Sequence, residues 1–594
     1  MTDELTDGPF DADLDADLEA LAAPPSDDEG PPAGFRLRAD GVYFETEGPD
    51  GESAWRWLCS PIRVLALTRG SDGRGWGRLV EIEDDDGNHH RWAIPAELFA
   101  GEGTDLRREC LRLGLRLSTA RGARARFSDL LQQWTPSTRA TTTERLGWAD
   151  ESCAAFVTGS GRVIGDAGVV FQTEHAPGAA AEMREAGTLD DWRATVGAAC
   201  IGNPLMVLAV SLAFTGALFQ PMQMEGGGLH LRGQSSRGKS TLLRAAVSVW
   251  GSPKFLQSWR ATSNGLEGVA AACNGSLIAL DEMGEITARE AGATAYMLSN
   301  GTGKARAART GAARPAARWR TAILSSGELS LADKMAETGQ RARAGQEVRL
   351  LDVQADGRTF GAFDDLHGQA EPAAFAEHIG RMAAGAYGTA GPAFVERLVA
   401  DLDGALADIR EAAEAFKAKV AETLDLPNEG QTRRALGRFA LIAAAGEMAT
   451  TWGLTGWPRG EASRAALAGL RLWLAGRGGA GPAEDREAVD RTRAFIVAHG
   501  DARFERLDDT SDREGPRVHN RAGWRDGMLF YIAADTWAKE VHAGADPTQA
   551  ARAVQAAGFL VADAGGRFQT KAPRAAGRAR CYCITAEIME SGSD

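Results

Sequence analysis

A nine-residue segment near the middle of the chain restricts the fold more than any other feature. It is a glycine-rich turn that ends in a lysine and two hydroxyl residues, and its members are Gly233, Gln234, Ser235, Ser236, Arg237, Gly238, Lys239, Ser240 and Thr241. A strand pattern over 228–232 precedes it and a helical pattern over 242–250 follows. This is the G-x-x-x-x-G-K-[ST] motif in its strand–loop–helix context. The segment predicts a parallel α/β sheet around a phosphate-binding loop.

The residue types in this loop predict their roles. Glycines allow backbone N–H groups to wrap the phosphates at a helix N-terminus, where the helix dipole favours an anion. We expect Lys239 to place its charge on the phosphates and Ser240 to place its hydroxyl on Mg²⁺. The whole loop is therefore predicted to bind a nucleotide, with ATP and Mg²⁺ as the cofactors. The alternative is a glycine-rich turn that occurs by chance.

Two acidic residues end the apolar run 276–280, which is typical of a buried central strand. Carboxylates at the end of a strand beside a phosphate loop can divide the work of hydrolysis. Asp281 is predicted to hold the Mg²⁺ shell, and Glu282 is predicted to polarise the attacking water. The alternative is that both acids cap the next helix.

Polar residues follow the next predicted strand, 319–324, in the order Ser325, Ser326, Gly327 and Glu328. A polar side chain at this strand tip can orient a water molecule between Glu282 and the γ-phosphate. Ser325 and Ser326 are both candidates for that role. The alternative is a simple turn at the end of a strand.

A basic segment lies between the acidic strand and the polar strand. Residues 301–320 carry six basic side chains and no acid, and turn residues near 310–315 predict a hairpin. Such a hairpin can follow a nucleic-acid backbone without reading its sequence. The predicted DNA-binding residues are Lys304, Arg306, Arg309 and Arg314. The alternative is a solvated basic loop, or one that faces an acidic neighbour.

Arginines that follow the polar strand are candidates for a role between subunits. Arg349 lies on a short predicted strand, and in a ring of ATPase subunits it could reach the phosphate bound by a neighbour and stabilise transition-state charge. Arg343 is the competing candidate. Either arginine could instead form a structural salt bridge.

The net charge of −15 is concentrated at the start of the chain. Residues 1–34 hold eleven acidic side chains and no Lys or Arg, so the remainder is close to neutral. A segment of this composition cannot bury enough apolar surface to fold, and we predict a disordered acidic tail over 1–34. The negative total therefore does not exclude a nucleic-acid partner. The tail and the C-terminal domain are candidate contacts for a replication partner protein.

Several features favour a cytoplasmic chain that does not enter the membrane. The N-terminus has no basic and apolar leader, and the seven cysteines have no metal-binding spacing. The longest strongly apolar stretch, 205–219, is shorter than the roughly 20 residues that span a bilayer. It is predicted to be a buried helix. Cys581 and Cys583 are expected to be ordinary strand residues of a reduced protein.

Changes of pattern divide the rest of the chain into four predicted domains. Residues 35–185 alternate as strands, including 35–38, 41–46, 63–68 and 78–83, and predict a mixed α+β N-terminal domain. Residues 186–360 form the α/β core. Residues 361–484 form a helical region, with long helices expected over 395–424 and 432–451. Residues 485–594 predict a winged-helix-like C-terminal module whose turn, 566–580, carries five basic side chains and no acid.

Together these residues resemble the family of domain of unknown function 927, from about Gly34 to Asp352. Besides the phosphate loop, the resemblance rests on Cys59-Ser-Pro-Ile, Gly147-Trp, Gly187-Thr-Leu-Asp-Asp-Trp-Arg, Trp259-Arg-Ala-Thr-Ser-Asn-Gly-Leu-Glu, Leu280-Asp-Glu-Met-Gly, Gly301-Thr-Gly-Lys-Ala-Arg, Ser325-Ser-Gly-Glu and Gly345-Gln-Glu-Val-Arg. The resemblance implies a P-loop AAA+ core related to superfamily 3 helicases, a hexameric ring, and a place in the replication of phages, plasmids or genomic islands. Those helicases usually have Asn at the polar strand tip, where this chain has Ser325 and Ser326. Only the acidic tail precedes the core, so priming activity is not expected.

The leading hypothesis is an ATP-dependent DNA translocase or helicase that acts on single-stranded DNA. ATP would lie between subunits, with Lys239, Asp281 and Glu282 from one subunit and Arg349 from the next. The alternative is a nucleotide-switched assembly, remodelling or defence factor that unwinds no strand. A nucleotide-binding protein without turnover is a third hypothesis, which the presence of Glu282 disfavours. Stimulation of the ATPase by DNA would separate the first two.

Overall fold

The computed structural model describes most of the chain. The described residues are 30–47, 52–172, 182–304, 306–307, 313–314, 316–340, 344–424, 426, 430–476, 483–507, 518–563 and 565–590. They fall into two compact units, one within 1–342, 349–420 and 437–473 and the other within 343–348, 421–436 and 474–594. Most of the predicted acidic tail, residues 1–29, lies outside the described residues, and the predicted domain boundaries stay predictions.

The N-terminal part of the first unit is built mainly from strands. They are β1 Phe35–Arg38, β2 Gly41–Glu47, β3 Ser53–Cys59, β4 Ile62–Gly70, β5 Gly77–Glu83, β6 His89–Pro95, β7 Arg139–Thr143, β8 Gly147–Trp148, β9 Ala155–Val157, β10 Val163–Gly165 and β11 Val169–Phe171. The sheets have the orders β1-β2-β3, β11-β7-β4-β5-β6 and β10-β9-β8. Helices Thr104–Arg112 and Ala123–Gln133 cover a core that includes Val42, Ile62, Ile94 and Phe127. The alternating patterns that predicted β1, β2, β4 and β5 are confirmed.

The long apolar stretch forms a buried helix, as predicted. Helix Pro204–Thr215 begins with proline at its first position, where the missing N–H costs nothing, and every residue from Leu205 to Thr215 is buried. Short helical segments precede and follow it, at Leu189–Trp192, Arg193–Gly197, Ala198–Cys200 and Gly216–Leu218. Within the described ranges, no helix combines the length and the apolar character needed to cross a membrane.

The centre of the first unit is a five-stranded sheet in which every pairing is parallel. The strands from this part of the chain are β12 Gly227–Arg232, β13 Gln257–Ser258, β14 Leu277–Asp281, β15 Arg306–Ala307, β16 Ala313–Arg314, β17 Ala322–Gly327 and β18 Leu350–Gln354. The sheet order is β13-β14-β17-β12-β18, and β15 pairs separately with β16. The carboxyl ends of β12, β14 and β17 therefore meet at one edge, with β17 between the other two.

Helices connect these strands, as the α/β pattern predicts. They are Lys239–Val247, Ser263–Ala272, Ala288–Asn300, Leu331–Ala336 and Ala344–Glu347. The helical region that follows contains Pro372–Gly385, Ala390–Ala400, Leu402–Thr423, Gly430–Thr451 and Glu461–Gly476. The predicted helical pattern over 395–424 forms two helices, because the chain breaks at Asp401. The carboxylate of Asp401 accepts a hydrogen bond from the Gly404 N–H (3.0 Å) and starts a second helix.

The C-terminal part contains more strands than its sequence pattern predicted. Helix Ala483–His499 is followed by β19 Phe504–Arg506, β20 Gly523–Asp526, β21 Leu529–Ala533, helices Ala534–Thr536 and Pro547–Ala556, β22 Leu560–Val561, β23 Gln569–Lys571 and β24 Arg580–Thr585. The sheet order is β19-β20-β21-β24-β22, with β23 also paired to β24. The predicted return to β24 is present, and its Cys581 and Cys583 are buried strand residues. Three strands, β19, β20 and β21, lie between the helices Ala483–His499 and Pro547–Ala556, and a winged helix stays a prediction.

Candidate functional site

The glycine-rich segment forms a tight loop between β12 and helix Lys239–Val247. Gly238 has φ +96°, and a Cβ built there would lie 2.6 Å from the ring of Phe363. A Cβ on Gly233 would lie 2.8 Å from the carboxyl carbon of Asp356. Only glycine combines this backbone conformation with such close approach. Gly238 is therefore required by both its conformation and the lack of space, and Gly233 by the close approach of Asp356.

The first turn of the following helix is left without a side-chain cap. Gly238 is the N-cap residue and has no side chain that could accept the first N–H groups. The N–H groups of Thr241 and Leu242 turn back to the Gly238 carbonyl, at 3.0 and 3.2 Å. The helix dipole concentrates positive charge at this point. The arrangement fits a phosphate group, which such helix ends bind in many folds.

Lys239 lies across the mouth of the loop. Its side chain is buried, and the ammonium donates to the backbone carbonyls of Gly233 (2.7 Å) and Gln234 (2.6 Å). A lysine ammonium has three donors, so one remains for a ligand. Two backbone carbonyls of the loop thus hold the Lys239 ammonium at the position where the motif predicts phosphates.

Residues 356–362, which follow β18, form hydrogen bonds with the backbone of the loop. The carboxylate of Asp356 accepts hydrogen bonds from the Gln234 N–H (2.8 Å) and from the side chain of Gln354 (2.5 Å). Burial opposes ionisation of Asp356, but these hydrogen bonds hold its pKa below the ordinary value. Ala362 also donates its N–H to the Arg237 carbonyl (2.8 Å). No local motif in the sequence marks this support.

One hydroxyl joins the predicted metal ligand, Asp281, to the backbone of the predicted general base, Glu282. Ser326 lies near the end of β17 and donates a short hydrogen bond to the Asp281 carboxylate at the end of β14. The same hydroxyl accepts the backbone N–H of Glu282 (3.2 Å). Glu282 has φ +61°, which is uncommon for a residue with a side chain and is held here by its neighbours. Ser326 therefore fixes the position of both acids relative to β17.

The electrostatic surroundings of Glu282 suit a proton acceptor. The residue is largely exposed, and partial desolvation of its carboxylate is the largest cause that raises its pKa. Asp281 and Glu328 raise the pKa further, whereas the charge of Lys239 lowers it. The structure therefore brings the loop lysine and the acids within electrostatic reach. A carboxylate with a raised pKa is a better general base near neutral pH.

Ser325 does not join the acids, although it was an equal candidate in the sequence. Successive side chains of a strand point to opposite faces, and the Ser325 hydroxyl is buried on the face opposite Ser326. It accepts from Trp259 Nε1 (2.9 Å) and contacts His230 Nδ1 (2.9 Å), while His230 Nε2 contacts the Leu329 carbonyl (2.9 Å).

The contacts of His230 define its protonation. Burial lowers the pKa of His230, so the ring is neutral. Because a carbonyl can only accept, Nε2 carries the proton and Nδ1 accepts from Ser325. The structure thus assigns Ser325 to a buried network and leaves Ser326 as the polar residue beside the acids. Nothing in the sequence around His230 distinguishes it from the other residues of the buried strand β12.

The predicted basic hairpin is present as a pair of short strands. The backbone of Arg306 in β15 lies opposite that of Arg314 in β16 in antiparallel register. Lys304 precedes the pair and is exposed. Arg309 lies outside the described residues. The hairpin is inserted between β14 and β17, the strands that carry the acids and Ser326.

Arg349 lies at the opposite edge of the sheet from the loop. It immediately precedes β18, and its backbone carbonyl accepts the Gly228 N–H at the beginning of β12 (2.8 Å). Its guanidinium donates to Glu225 (2.8 and 3.2 Å) and lies 5.1 Å from the centre of the Tyr296 ring. The structure does not bring Arg349 to the loop of its own chain. The competing candidate, Arg343, lies outside the described residues.

A second arginine lies beside Arg349. Arg438 of helix Gly430–Thr451 donates to the carbonyl of Gly226 (3.2 Å), next to Glu225. The pKa of Arg438 is lowered to about 10, mainly by burial and also by the charge of Arg349, whereas Glu225 opposes the shift. No sequence signal marks Arg438, because it comes from a helix that is distant in the chain. This edge therefore holds two arginines close to one carboxylate.

The donor set fits Mg²⁺ bound together with a nucleotide. Among the residues with described positions, no group of three or more His, Cys, Asp or Glu side chains is arranged to hold a metal alone. Mg²⁺ commonly binds through one or two carboxylates, with water and substrate phosphates completing its shell. The hydroxyl of Ser240 and the carboxylate of Asp281 are suitable protein donors for such a shell.

Comparisons with known proteins agree with this description. No curated protein matches the chain. Among the solved structures, the chain is similar to SCCmec type IV Cch, described as an active helicase, with a TM-score of 0.66 and 18% sequence identity over 94% of this chain and 99% of that one. At this identity the likeness shows the fold alone, a mixed arrangement of helices and sheets. The family model for a domain of unknown function, DUF927, matches residues 35–318. The chain therefore carries a DUF927 domain over residues 35–318, as its sequence motifs indicated.

Proposed function

We propose that the protein is an ATP-dependent DNA translocase or helicase with a superfamily 3-like AAA+ core, active in the replication of a mobile element. One observation carries the proposal: the Ser326 hydroxyl bonds both to Asp281 and to the N–H of Glu282. These groups lie at the sheet edge where β12 leads into the glycine-rich loop. Such an arrangement matches the needs of phosphoryl transfer, in which positioning and electrostatics supply most of the catalysis.

Each residue at this edge has a role in the proposal. Bound MgATP supplies the phosphoanhydride bond that is cleaved. Lys239 and the N–H groups of the loop hold the phosphates, and Ser240 and Asp281 hold the metal. Glu282 orients a water molecule and accepts its proton. Ser326 is a positioning residue, because it binds the Asp281 carboxylate and the backbone N–H of Glu282.

The opposite edge of the sheet supports a role between subunits. Arg349 precedes β18, whereas the loop lies at the other ends of the parallel strands, and each strand residue between them adds about 3.3 Å. Arg349 is therefore too far away to serve the loop of its own chain. We infer that Arg349 reaches the nucleotide bound by a neighbouring subunit of a ring. The contacts with Glu225 and Tyr296 would hold its guanidinium ready until the neighbour binds ATP.

The position of the basic hairpin supports coupling to DNA. Because it is inserted between β14 and β17, a shift of these strands during hydrolysis would be transmitted to it. Lys304, Arg306, Arg309 and Arg314 would contact the phosphates of a single strand without reading bases. The structural neighbour is described as an active helicase, which is consistent with this function.

The test is the ATPase rate with and without single-stranded DNA. We expect DNA to raise the rate of the wild type, and we expect Glu282→Gln to remove turnover while nucleotide binding persists. Glu285→Gln, in the same turn, is the matched control and should retain activity. A rate that DNA leaves unchanged would favour the nucleotide-switched remodelling factor instead. Failure to bind nucleotide at all would exclude both functions.

A further inference from the structure

A second basic hairpin lies in the C-terminal part of the chain. We call residues 569–585, which contain β23, β24 and the turn between them, the C-terminal basic hairpin. Its exposed cations are Lys571, Arg574, Arg578 and Arg580. No acidic residue occurs from Gly565 to Thr585. The hairpin therefore presents a local positive charge that the negative total of the chain conceals.

The turn of this hairpin is held in place by backbone hydrogen bonds. Ala572 donates to the carbonyl of Ala579 (2.9 Å), and Gly577 donates to that of Arg574 (3.1 Å). Arg578 has φ +59°, a conformation that an arginine adopts at a cost. The cations thus project from an ordered backbone. The hairpin therefore loses less conformational entropy when it binds a ligand.

Two of the cations are placed directly opposite each other. Lys571 of β23 pairs in register with Arg580 of β24, and both side chains are exposed. The neighbouring pair has Cys581 buried on the other face. Like charges at directly opposed positions destabilise a hairpin. A bound polyanion would convert this unfavourable pair into a favourable contact.

Other arginines of the same part of the chain have carboxylate partners. The pairs are Arg493–Asp490, Arg503–Glu540, Arg521–Glu505 and Arg525–Asp501. In the described part of the chain, no ion pair involves the four cations of the C-terminal basic hairpin. The paired arginines stabilise the fold of this part of the chain, whereas the four cations of the C-terminal basic hairpin face solvent.

We propose that the C-terminal basic hairpin binds the phosphodiester backbone of DNA without nucleotide and without sequence preference. The proposal is a second contact, distinct from the hairpin at 304–314, and it does not depend on ATP hydrolysis. Cations on an ordered ribbon release counterions from phosphates, which makes such binding strongly salt-dependent. A two-stranded ribbon is also narrow enough to lie in a duplex groove.

The experiment measures DNA binding by the full chain in the absence of nucleotide. The variant combines Lys571→Gln, Arg574→Gln, Arg578→Asn and Arg580→Gln, with Asn chosen because it tolerates positive φ. The control removes four exposed arginines from the N-terminal part, with Arg108, Arg121, Arg124 and Arg126 each replaced by Gln. Fluorescence anisotropy is read with a labelled duplex and a labelled single strand at several salt concentrations.

We expect the hairpin variant to bind at least about tenfold more weakly at low salt, with a salt slope that is shallower by about one for each phosphate that is no longer neutralised. The control should bind like the wild type. Weaker binding to the duplex alone, to the single strand alone or to both supports the proposal and identifies the preferred DNA. Equal affinity and equal slope for variant and wild type would overturn it.

Two further measurements keep the result independent of the proposed ATPase. In the first, the four C-terminal substitutions are added to a chain in which Lys304, Arg306, Arg309 and Arg314 are all replaced by Gln. The DNA affinity that this chain retains should disappear when the C-terminal substitutions are added. In the second, the comparison is made with Lys239→Ala, which should bind DNA like the wild type without nucleotide. If that chain loses turnover but keeps the hairpin effect, the two proposals are separated.

Discussion

The two edges of the central sheet use charged residues in different ways. At the carboxyl edge, Lys239 is held by backbone carbonyls and Ser326 joins two acids, so the polar groups are fixed by the fold itself. At the amino edge, Arg349 is paired with Glu225 and packed on Tyr296. The first edge has the geometry that a nucleotide site needs. The second is an ion pair whose proposed role requires another subunit.

The largest effect is expected from breaking the carboxyl edge. Lys239→Ala removes the one loop cation that the backbone carbonyls hold, and we expect nucleotide affinity and ATPase rate to fall by about 100-fold or more, the scale of losing a preorganised charge contact. Binding of a fluorescent nucleotide and phosphate release measure the two quantities. Lys254→Ala, at an exposed position, is the control. Unchanged nucleotide binding in Lys239→Ala would remove the basis for assigning the loop.

The next largest effect is expected at the amino edge. Arg349→Ala should lower the ATPase rate by about 100-fold while nucleotide affinity changes little, because the missing charge acts only in the transition state. A steady-state comparison of kcat and KM separates the two effects. Arg343→Ala is the competing variant, and a larger loss there would transfer the role to Arg343.

A third comparison separates the two serines of β17. Ser326→Ala should lower kcat about tenfold with little change in thermal stability, since the residue positions the acids. Ser325→Ala should instead lower the free energy of unfolding by about 1–3 kcal/mol, because Trp259 and His230 lose their buried partner. Thermal unfolding and ATPase assays on both variants measure this contrast. The opposite pattern would exchange the two roles.

The smallest expected effect is a shift in pH dependence. Glu282 must be ionised to accept a proton, and its pKa is raised, so activity should be lost on acidification at a higher pH than an ordinary glutamate would give. Glu328 contributes to that raised pKa. Glu328→Gln should therefore move the acid limb of the rate profile to lower pH. A limb that moves to higher pH would show that Glu328 acts in another way.

The sequence predicted the parts of the site that are local in the chain. Contiguous motifs predicted the loop, the strand and helix beside it, and the two acids. Backbone conformation and the end of a strand depend on residues that are neighbours in the sequence. The choice between Ser325 and Ser326 was not readable, because alternation shows that the two face opposite ways but does not show which strand lies beside them. The pairing register decides this, because Leu280 lies opposite Ser325 and Asp281 therefore falls beside Ser326.

The features that the sequence did not predict depend on distant partners. Asp356 and Phe363 support the loop from more than a hundred residues downstream, and no motif links them to it. The strands β19 and β20 are three and four residues long and carry charged residues, so their alternation is too short to recognise. The break at Asp401 depends on a capping contact within an otherwise helical pattern.

The most direct test of the central claim mixes two inactive chains. Lys239→Ala keeps an intact amino edge, and Arg349→Ala keeps an intact carboxyl edge. If one nucleotide site is formed by both edges of neighbouring subunits, an equal mixture rebuilds about a quarter of the interfaces of a ring. We predict that the mixture recovers about that fraction of the wild-type ATPase rate. A mixture no more active than the average of its two components would contradict a shared site.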